Sequence, residues 1–580
     1  MFSRTSAPFF HPTLKSALMK KTLALLVSAT ALCTVPASSR PDDMGDFDSF
    51  MSDALTDFNS FIDEANRDFI NFMRNPWKKY QATEPQEQRT MPEPETQPLY
   101  TPATDPSQPQ DDTPRQLEID EILDLTTSQS RQGARSQGGK TPQQTITTEK
   151  PRPTKPAGQT PKPKPQPRPQ QPQRNDEPQK PQQPQQPQRE TIPSEQTPEK
   201  AKPAVPVPAP APRQPHPLQS PGAGRSPITF GGITYHVSNA MKGSVKLNSL
   251  NEKSIADAYE ALFATDYKPL VAELQTLRGN GLNNDWATFL FIKDLSEKYA
   301  GPNESKVLRQ FLLNQLGYKS RVAIIPAEKR LTLYFAPNCE LYGVVFVDIN
   351  GTKYYDPDAR SPYAFRMCEK ESPSAKRTVD MHLVSMPVFN KTGKTYTRTG
   401  SGKSAALSAT TPVPKELIGF YSRLPQCAYS VYATASVDPE FETGLLGALR
   451  PAIAGKSELE AAAVLLDYVQ HAFDYATDDA QFGYEKPFFV EELFYYPQCD
   501  CEDRSVLYLY LVRKLLGLEA VLVEYPNHMA TAVKFNSAVQ GDYLSVNGKK
   551  YVVCDPTFIG AGVGMAMPQF KNAGAKVVKI

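Results

Sequence analysis

Residues 499–525 read CDCEDRSVLYLYLVRKLLGLEAVLVEY, and this stretch decides the fold of the C-terminal part of the chain. An acidic start containing two cysteines leads into a leucine- and tyrosine-rich run from Ser505 to Leu516, which predicts a helix. Gly517 follows, and glycine commonly ends helices because it adopts the left-handed conformation without strain. Glu519 to Tyr525 is apolar and short, which is typical of a buried strand. The stretch therefore predicts a helix that runs directly into a sheet.

The flanking sequence extends this pattern in both directions. Ala530 to Phe535 and Lys550 to Cys554 predict two further strands, and Asn547-Gly548 predicts a tight hairpin turn. Upstream, Ser457 to Ala472 has apolar residues at helical spacing, and Ser457 with Glu460 forms the pattern of a capping box. Helical and strand patterns alternate in the way that is typical of an α+β protein.

The chain repeats itself at an offset of about 200 residues. The matching segments are Leu316-Gly317-Tyr318 with Leu516-Gly517-Leu518, Pro326 with Pro526, Asn350-Gly351 with Asn547-Gly548, and Asp356-Pro357 with Asp555-Pro556. Because these matches keep the same order, they predict two copies of one helix–strand–strand–strand unit.

The two copies differ in the residues that can carry chemistry. Gly301 stands opposite Cys501, and Glu328 stands opposite His528, whereas Asp555 keeps its type. The first copy therefore lacks a thiol and an imidazole at these positions. If one copy is catalytic, we expect it to be the second.

Cys501, His528 and Asp555 are the predicted catalytic residues. Cys501 begins a helix, where the dipole and the free backbone N–H groups favour a thiolate. A helix laid across an antiparallel sheet can bring the three side chains together, with cysteine as nucleophile, histidine as proton carrier and aspartate as the group that orients the imidazole. The backbone N–H of Cys501 and the side chain of Gln498 are the candidate oxyanion donors.

These residues also resemble a known family. Cys501-Glu502-Asp503 at a helix start, His528 in Asn-His-Met-Ala-Thr-Ala-Val and Asp555 in Cys-Asp-Pro-Thr resemble the transglutaminase-like superfamily, and more narrowly the bacterial transglutaminase-like cysteine peptidases. The resemblance covers about residues 412–580. It implies a papain-like α+β core and acyl chemistry through a thioester on amide bonds of proteins or peptides. Hydrolysis and acyl transfer both stay open, and we expect no cofactor and no metal ion.

Two other interpretations compete with a thiol enzyme. Cys499, Cys501, His528 and Cys554 make a conceivable zinc set, although a Cys-x-Cys pair is closer than the usual ligand spacing. Alternatively, both copies are non-catalytic binding or assembly modules of the cell envelope. In an oxidising compartment, Cys499 could also form a disulfide.

Composition divides the chain into regions. Of the 56 prolines, 33 lie between Glu84 and Pro227, so residues 81–227 are predicted to form a disordered linker rich in proline and glutamine. We assign 228–378 to a degenerate transglutaminase-like lobe, 379–411 to a second linker and 412–580 to the catalytic domain. The formal net charge of +1 argues against nucleic acid as a partner.

The first 40 residues have the pattern of a secretory signal. A basic start at Met19-Lys20-Lys21 precedes a short apolar run and the small residues around Ala37, where we expect cleavage. The run is too short to span a bilayer, and we expect no transmembrane segment in the mature chain. Export would place the protein in the periplasm, on the outer surface or outside the cell. Lipidation at Cys33 is a second interpretation.

Residues 41–80 predict an amphipathic helix. Asp46-Phe47, Asp57-Phe58 and Asp68-Phe69 each begin an 11-residue unit, and this period keeps the aromatic residues on one face. We expect residues 46–75 to pack on the body, to bind a partner or to self-associate. Membrane-surface binding is less favoured because the segment is acidic.

Overall fold

The computed structural model describes residues 60–87, the backbone of Ile119–Leu123, and residues 220–578 except 392, 394, 405, 406 and 572. The predicted signal peptide, the first half of the 11-residue repeat and most of the predicted linker at 81–227 lie outside the described residues. In the part of the chain that is described, no helix is long and apolar enough to cross a membrane.

The N-terminal segment packs on the body. Helix α1 spans 60–73 within the described residues and buries Phe69, Ile70 and Met73 in the main hydrophobic core. Strand β1 (Lys78–Gln81) follows and pairs antiparallel with Ala364–Met367. The helix ends before Pro76, in agreement with the predicted helix at 46–75. The remainder of the segment predicted to reach residue 80 forms a strand, because it pairs with the sheet. Strand β2 (Ile119–Leu123), inside the predicted linker, pairs parallel with Ala575–Val578.

The first lobe begins with a hairpin, β3 (Arg225–Phe230) and β4 (Ile233–Ser238). Its four helices are α2 (Glu252–Phe263), α3 (Lys268–Gly279), α4 (Asp285–Tyr299) and α5 (Glu304–Gln315). Its sheet contains β5 (Ser320–Ile325), β6 (Arg330–Phe335), β7 (Phe346–Ile349), β8 (Thr352–Tyr355) and β9 (Ala364–Met367).

A hairpin and four helices connect the two sheets. The hairpin is β10 (Thr395–Ser401) with β11 (Ser408–Pro414), and the helices are α6 (Lys415–Tyr421), α7 (Tyr429–Thr434), α8 (Pro439–Ile453) and α9 (Glu458–Ala472). The predicted linker at 379–411 thus contains most of a paired hairpin, because its β-branched and aromatic residues form a ladder. Helix α9 has the expected capping box of Ser457 and Glu460.

The second lobe carries the candidate site. Its first elements are β12 (Asp474–Tyr475), α10 (Asp478–Phe482), β13 (Gln498–Cys499) and α11 (Cys501–Leu511), which continues as a π-helical turn at Val512–Leu516. Its remaining strands are β14 (Glu519–Tyr525), β15 (His528–Lys534), β16 (Tyr543–Val546), β17 (Lys549–Cys554) and β18 (Ala575–Val578). Short 3-10 turns lie at Glu492–Phe494 and Pro568–Phe570.

The two six-stranded sheets have the same strand order. In the first lobe the order is β1-β9-β5-β6-β8-β7, and in the second it is β2-β18-β14-β15-β17-β16. Each sheet follows a buried helix, α5 or α11. One edge strand of each sheet, β1 or β2, comes from residues that precede the first lobe. The chain therefore contains one mixed α and β unit twice. The largest hydrophobic core runs without interruption from α1 through both lobes.

Candidate active site

His528 and Asp555 form a buried pair. His528 begins β15 after a turn at Asn527, whose φ of 58° lies in the left-handed region that asparagine tolerates. Asp555 follows β17, the neighbouring strand, and its Oδ2 lies 2.8 Å from Nε2 of His528. Its other oxygen accepts the backbone N–H groups of Thr557 and Phe558 at 2.9 and 3.1 Å. The carboxylate is thus held from both sides, and it orients the imidazole.

Two further residues fix this pair, and neither was predicted from the sequence. The ring of Phe570 stacks on the imidazole of His528, with centroids 5.0 Å apart and planes 6° apart. The side-chain amide of Gln470 donates to the carbonyls of Asp555 and Ala561, both at 3.1 Å. A glutamine on the otherwise apolar buried face of α9 was the available signal for this role.

Cys501 lies at the start of α11, as predicted, but its thiol does not bond to the imidazole. The side chain is buried, and Sγ donates to Oε2 of Glu502 at 3.3 Å. The backbone N–H of Met529, next to His528, donates to the same sulfur. Among the described residues, no hydrogen bond joins Sγ of Cys501 to the ring of His528. The structure therefore pairs His528 with Asp555 and places the thiol beside β15, the strand that His528 begins.

The surroundings of Cys501 explain why the thiol keeps its proton. Burial raises the pKa of Cys501 well above its usual value, and the neighbouring carboxyl of Asp500 raises it further. The helix N-terminus alone was expected to favour the thiolate. Here the surrounding carboxyl groups and burial outweigh the dipole, so a protonated thiol donates to Glu502.

Gln498 lies three residues before the nucleophile candidate. Gln481 holds its backbone from both sides: its Oε1 accepts the N–H of Gln498, and its Nε2 donates to the carbonyl, both at 3.2 Å. This anchors β13 immediately before α11. The contribution of Gln498 to an oxyanion site stays a prediction.

Five buried acidic residues surround the start of α11. They are Asp478, Glu485, Asp500, Glu502 and Asp503. Burial raises the pKa of all five, to about 7 for Glu485 and Asp503. Asp503 accepts the N–H groups of Asp500 and Phe488, at 3.2 and 2.7 Å, and so caps the helix. Both oxygens of Asp500, one of Glu502 and one of Asp478 have no hydrogen-bond partner within the described part of the chain.

This acidic cluster could hold a divalent cation, although the sequence was expected to provide no metal site. Ligand oxygens of Asp478, Glu485 and Glu502 lie within 4.8 Å of one another, as do those of Asp478, Asp500 and Asp503. Carboxylate oxygens are the ligands that hard cations such as Ca²⁺ prefer. A bound cation would also replace the negative field around the thiol with a positive one. The sequence shows Glu502 and Asp503 beside Cys501, where their charge opposes a thiolate, but it does not reveal the cluster, because Asp478 and Glu485 come from a separate segment.

The thiol zinc set is not assembled. In the described ranges, the residue groups able to ligate a metal consist of carboxylates alone. Cys499 instead donates to the carbonyl of Asp474 at 3.7 Å, and Cys554 donates to that of Val552 at 3.7 Å. Both thiols are buried and free, and burial raises their pKa values to about 11 and 12.

The first lobe has a different pair at the matching place. Asp356 corresponds to Asp555, and it accepts the hydroxyl of Thr332 at 2.7 Å. The sequence offset had placed Glu328 opposite His528, but Glu328 lies in an exposed turn, where it pairs with Arg330. The turn before β6 is two residues longer than the turn before β15, which shifts the correspondence. A hydroxyl cannot act as the proton carrier that an imidazole provides.

Comparisons with family models, curated proteins and solved structures find no match to this chain. Its chemistry is therefore inferred from the arrangement of its own residues.

Proposed function

We propose that the chain is a transglutaminase-like thiol enzyme that acts on amide bonds of proteins or peptides. The observation that supports this most strongly is the buried His528–Asp555 pair, 2.8 Å apart, in which His528 begins β15, the strand whose next residue, Met529, contacts the sulfur of Cys501. Because Nε2 is engaged by Asp555, Nδ1 is the ring nitrogen that can exchange a proton with the thiol.

The chemistry follows from these positions. Cys501 transfers its proton to Nδ1 of His528, and its sulfur attacks the amide carbonyl carbon. The imidazolium, stabilised by Asp555, then gives the proton to the leaving amine as the carbon–nitrogen bond breaks. The thioester is released by water, which gives an acid, or by a second amine, which gives a new amide. The backbone N–H of Cys501 is the oxyanion donor we propose.

Catalysis requires Cys501 to leave Glu502. The thiol is 1% exposed, and its hydrogen bond points to a carboxyl group and not to the ring. The proposal therefore requires a rotation about the Cα–Cβ bond of Cys501, with opening of the surrounding side chains, that brings sulfur to Nδ1. The buried thiol also favours a second candidate function, a non-catalytic binding or assembly module of the cell envelope.

Peptide mixtures incubated with the full chain separate the outcomes. Mass spectrometry is expected to show addition of water for hydrolysis, or joining with loss of ammonia for acyl transfer. C501A should abolish either product, and the matched control C499A should retain it. Unchanged peptides with the intact chain, or equal products from C501A, would favour the binding module. We also propose that the N-terminal signal directs export. Determining the first residue of the secreted protein tests this part of the proposal.

A further inference from the structure

A small cavity with basic walls lies in the first lobe, away from the candidate active site. Its volume is about 90 Å³, and it is bounded by α4, α5, the loop after β8 and residues 422–425 after α6. Four cationic side chains line it: Lys293, Arg309, Arg360 and Arg423. Asp358 is the acidic residue among its walls.

Arg309 is the unusual member of this set. Its side chain is 1% exposed, and in the described part of the chain none of its three guanidinium nitrogens has a hydrogen-bond partner. The guanidinium lies 4.2 Å from the centre of the Phe289 ring. Burial lowers the pKa of Arg309 to about 10, so the group stays charged at neutral pH. The indole Nε1 of Trp286, also in the cavity wall, is buried and has no partner within the described residues.

Two of the carboxylates that act on Arg309 are already engaged by other cations. Asp358 pairs with Lys293 at 2.9 Å and lies 4.0 Å from Lys306. Asp294 accepts both terminal nitrogens of Arg423, at 2.9 and 2.6 Å. These acids attract Arg309 electrostatically, but none of them satisfies its N–H groups.

A buried charge without a partner is expensive, and removing one partner of a buried pair destabilises a protein strongly. A guanidinium is a rigid fork of donors that matches the oxygens of a carboxylate or a phosphate. The indole N–H adds a further donor. The cavity therefore has the donors and the charge that an oxyanion requires.

We propose that this cavity binds a small oxyanion through Arg309 and Trp286. The volume of about 90 Å³ suits a single carboxylate, sulfate or phosphate group. Such an anion would stabilise the junction between the first lobe and the segment at 422–425, because both line the cavity. This site is independent of the chemistry proposed for Cys501.

Thermal unfolding of the full chain at constant ionic strength tests the proposal. Inorganic phosphate, sulfate and acetate are titrated separately against chloride. Ligands that bind only the folded state raise Tm in a saturable way. We expect a rise of at least about 2 °C with one of the oxyanions. Phosphate above acetate would indicate a tetrahedral ligand, and the reverse order would indicate a carboxylate.

R309M should remove this response and, because it deletes a buried unpaired charge, should unfold at a higher temperature than the native chain without anions. R450M, at an exposed helical arginine, is the matched control and should keep the response. If R309M does not fold, R360M serves instead. This variant should need an anion concentration about tenfold higher for the same rise in Tm. The proposal is overturned if no oxyanion stabilises the native chain beyond chloride, as for a cavity filled by water. It is also overturned if R309M, or R360M used in its place, responds like R450M.

Discussion

The carboxylate of Asp555 is the residue-scale feature on which the proposed proton transfer depends. It accepts from His528 and from two backbone N–H groups. D555N removes the charge that stabilises the imidazolium, and we expect turnover of a peptide amide to fall about 10²–10⁴-fold. D356N changes the corresponding carboxylate of the first lobe, which bonds to a hydroxyl, and should leave turnover unchanged. Equal losses in both variants would mean that Asp555 acts only through folding.

Glu491 predicts a pH dependence of stability that is separate from the candidate site. It accepts from Tyr421 and from the backbone N–H of Asp438, and burial raises its pKa from 4.5 to about 7. Between these values, the folded state holds a proton that the unfolded state releases, so the free energy of unfolding falls as pH rises. The slope from this group reaches about 1.4 kcal/mol per pH unit.

E491Q should therefore reduce the fall of the unfolding free energy between about pH 4.5 and 7 by the contribution of this one group, as measured by urea unfolding at several pH values. E440Q is the control. It changes an exposed glutamate at the start of α8, next to Asp438, and should keep the native slope. A profile for E491Q parallel to that of the native chain would show that Glu491 titrates normally.

At the scale of elements, the start of α11 concentrates acidic groups that need protons or a cation. Calcium chloride is expected to raise the Tm of the protein above its value in the presence of a chelator. The reason is that a hard cation satisfies the unpaired oxygens of Asp478, Asp500 and Glu502. D478N should reduce this shift. D479N, at the neighbouring acid, which is exposed, should keep it. Identical Tm values with calcium and with chelator at pH 7 would mean that protons alone neutralise the cluster.

Helix α1 provides a second test at this scale. Phe69 is 1% exposed and meets Tyr259 edge-to-face at 5.7 Å, whereas Phe61 on the same helix is 51% exposed. F69A should weaken docking of the helix by about 3 kcal/mol or more. Limited proteolysis should then cut within 60–73, while F61A behaves as the native chain does. Resistance of both variants would contradict the importance of this contact.

At the scale of the whole molecule, local signals carried much of the sequence prediction. The capping pair of Ser457 and Glu460 marked the start of α9, and Glu519–Tyr525 was predicted with its observed bounds. Asn547-Gly548 marked the hairpin turn, where both residues have positive φ. Each of these features depends on residues that are adjacent in sequence, and for that reason the sequence alone could reveal them.

Features that depend on distant segments were missed. The strand at Lys78–Gln81 needs its partner strand near residue 365. The acidic cluster joins residues from α10, the following loop and α11, and it determines that the thiol of Cys501 bonds to Glu502. The correspondence of Thr332 with His528 required the sheet register. Internal repetition indicated that the unit occurs twice, but not that each sheet takes its edge strand from the N-terminal segment.

The central claim is that Cys501 and His528 work as one chemical unit. Alkylation of the native full chain by iodoacetamide, mapped to each cysteine by mass spectrometry, tests it most directly. We expect Cys501 to react at least about tenfold faster than Cys499 and to lose this advantage in H528A. Uniformly slow cysteines, or a rate at Cys501 that H528A leaves unchanged, would contradict the claim.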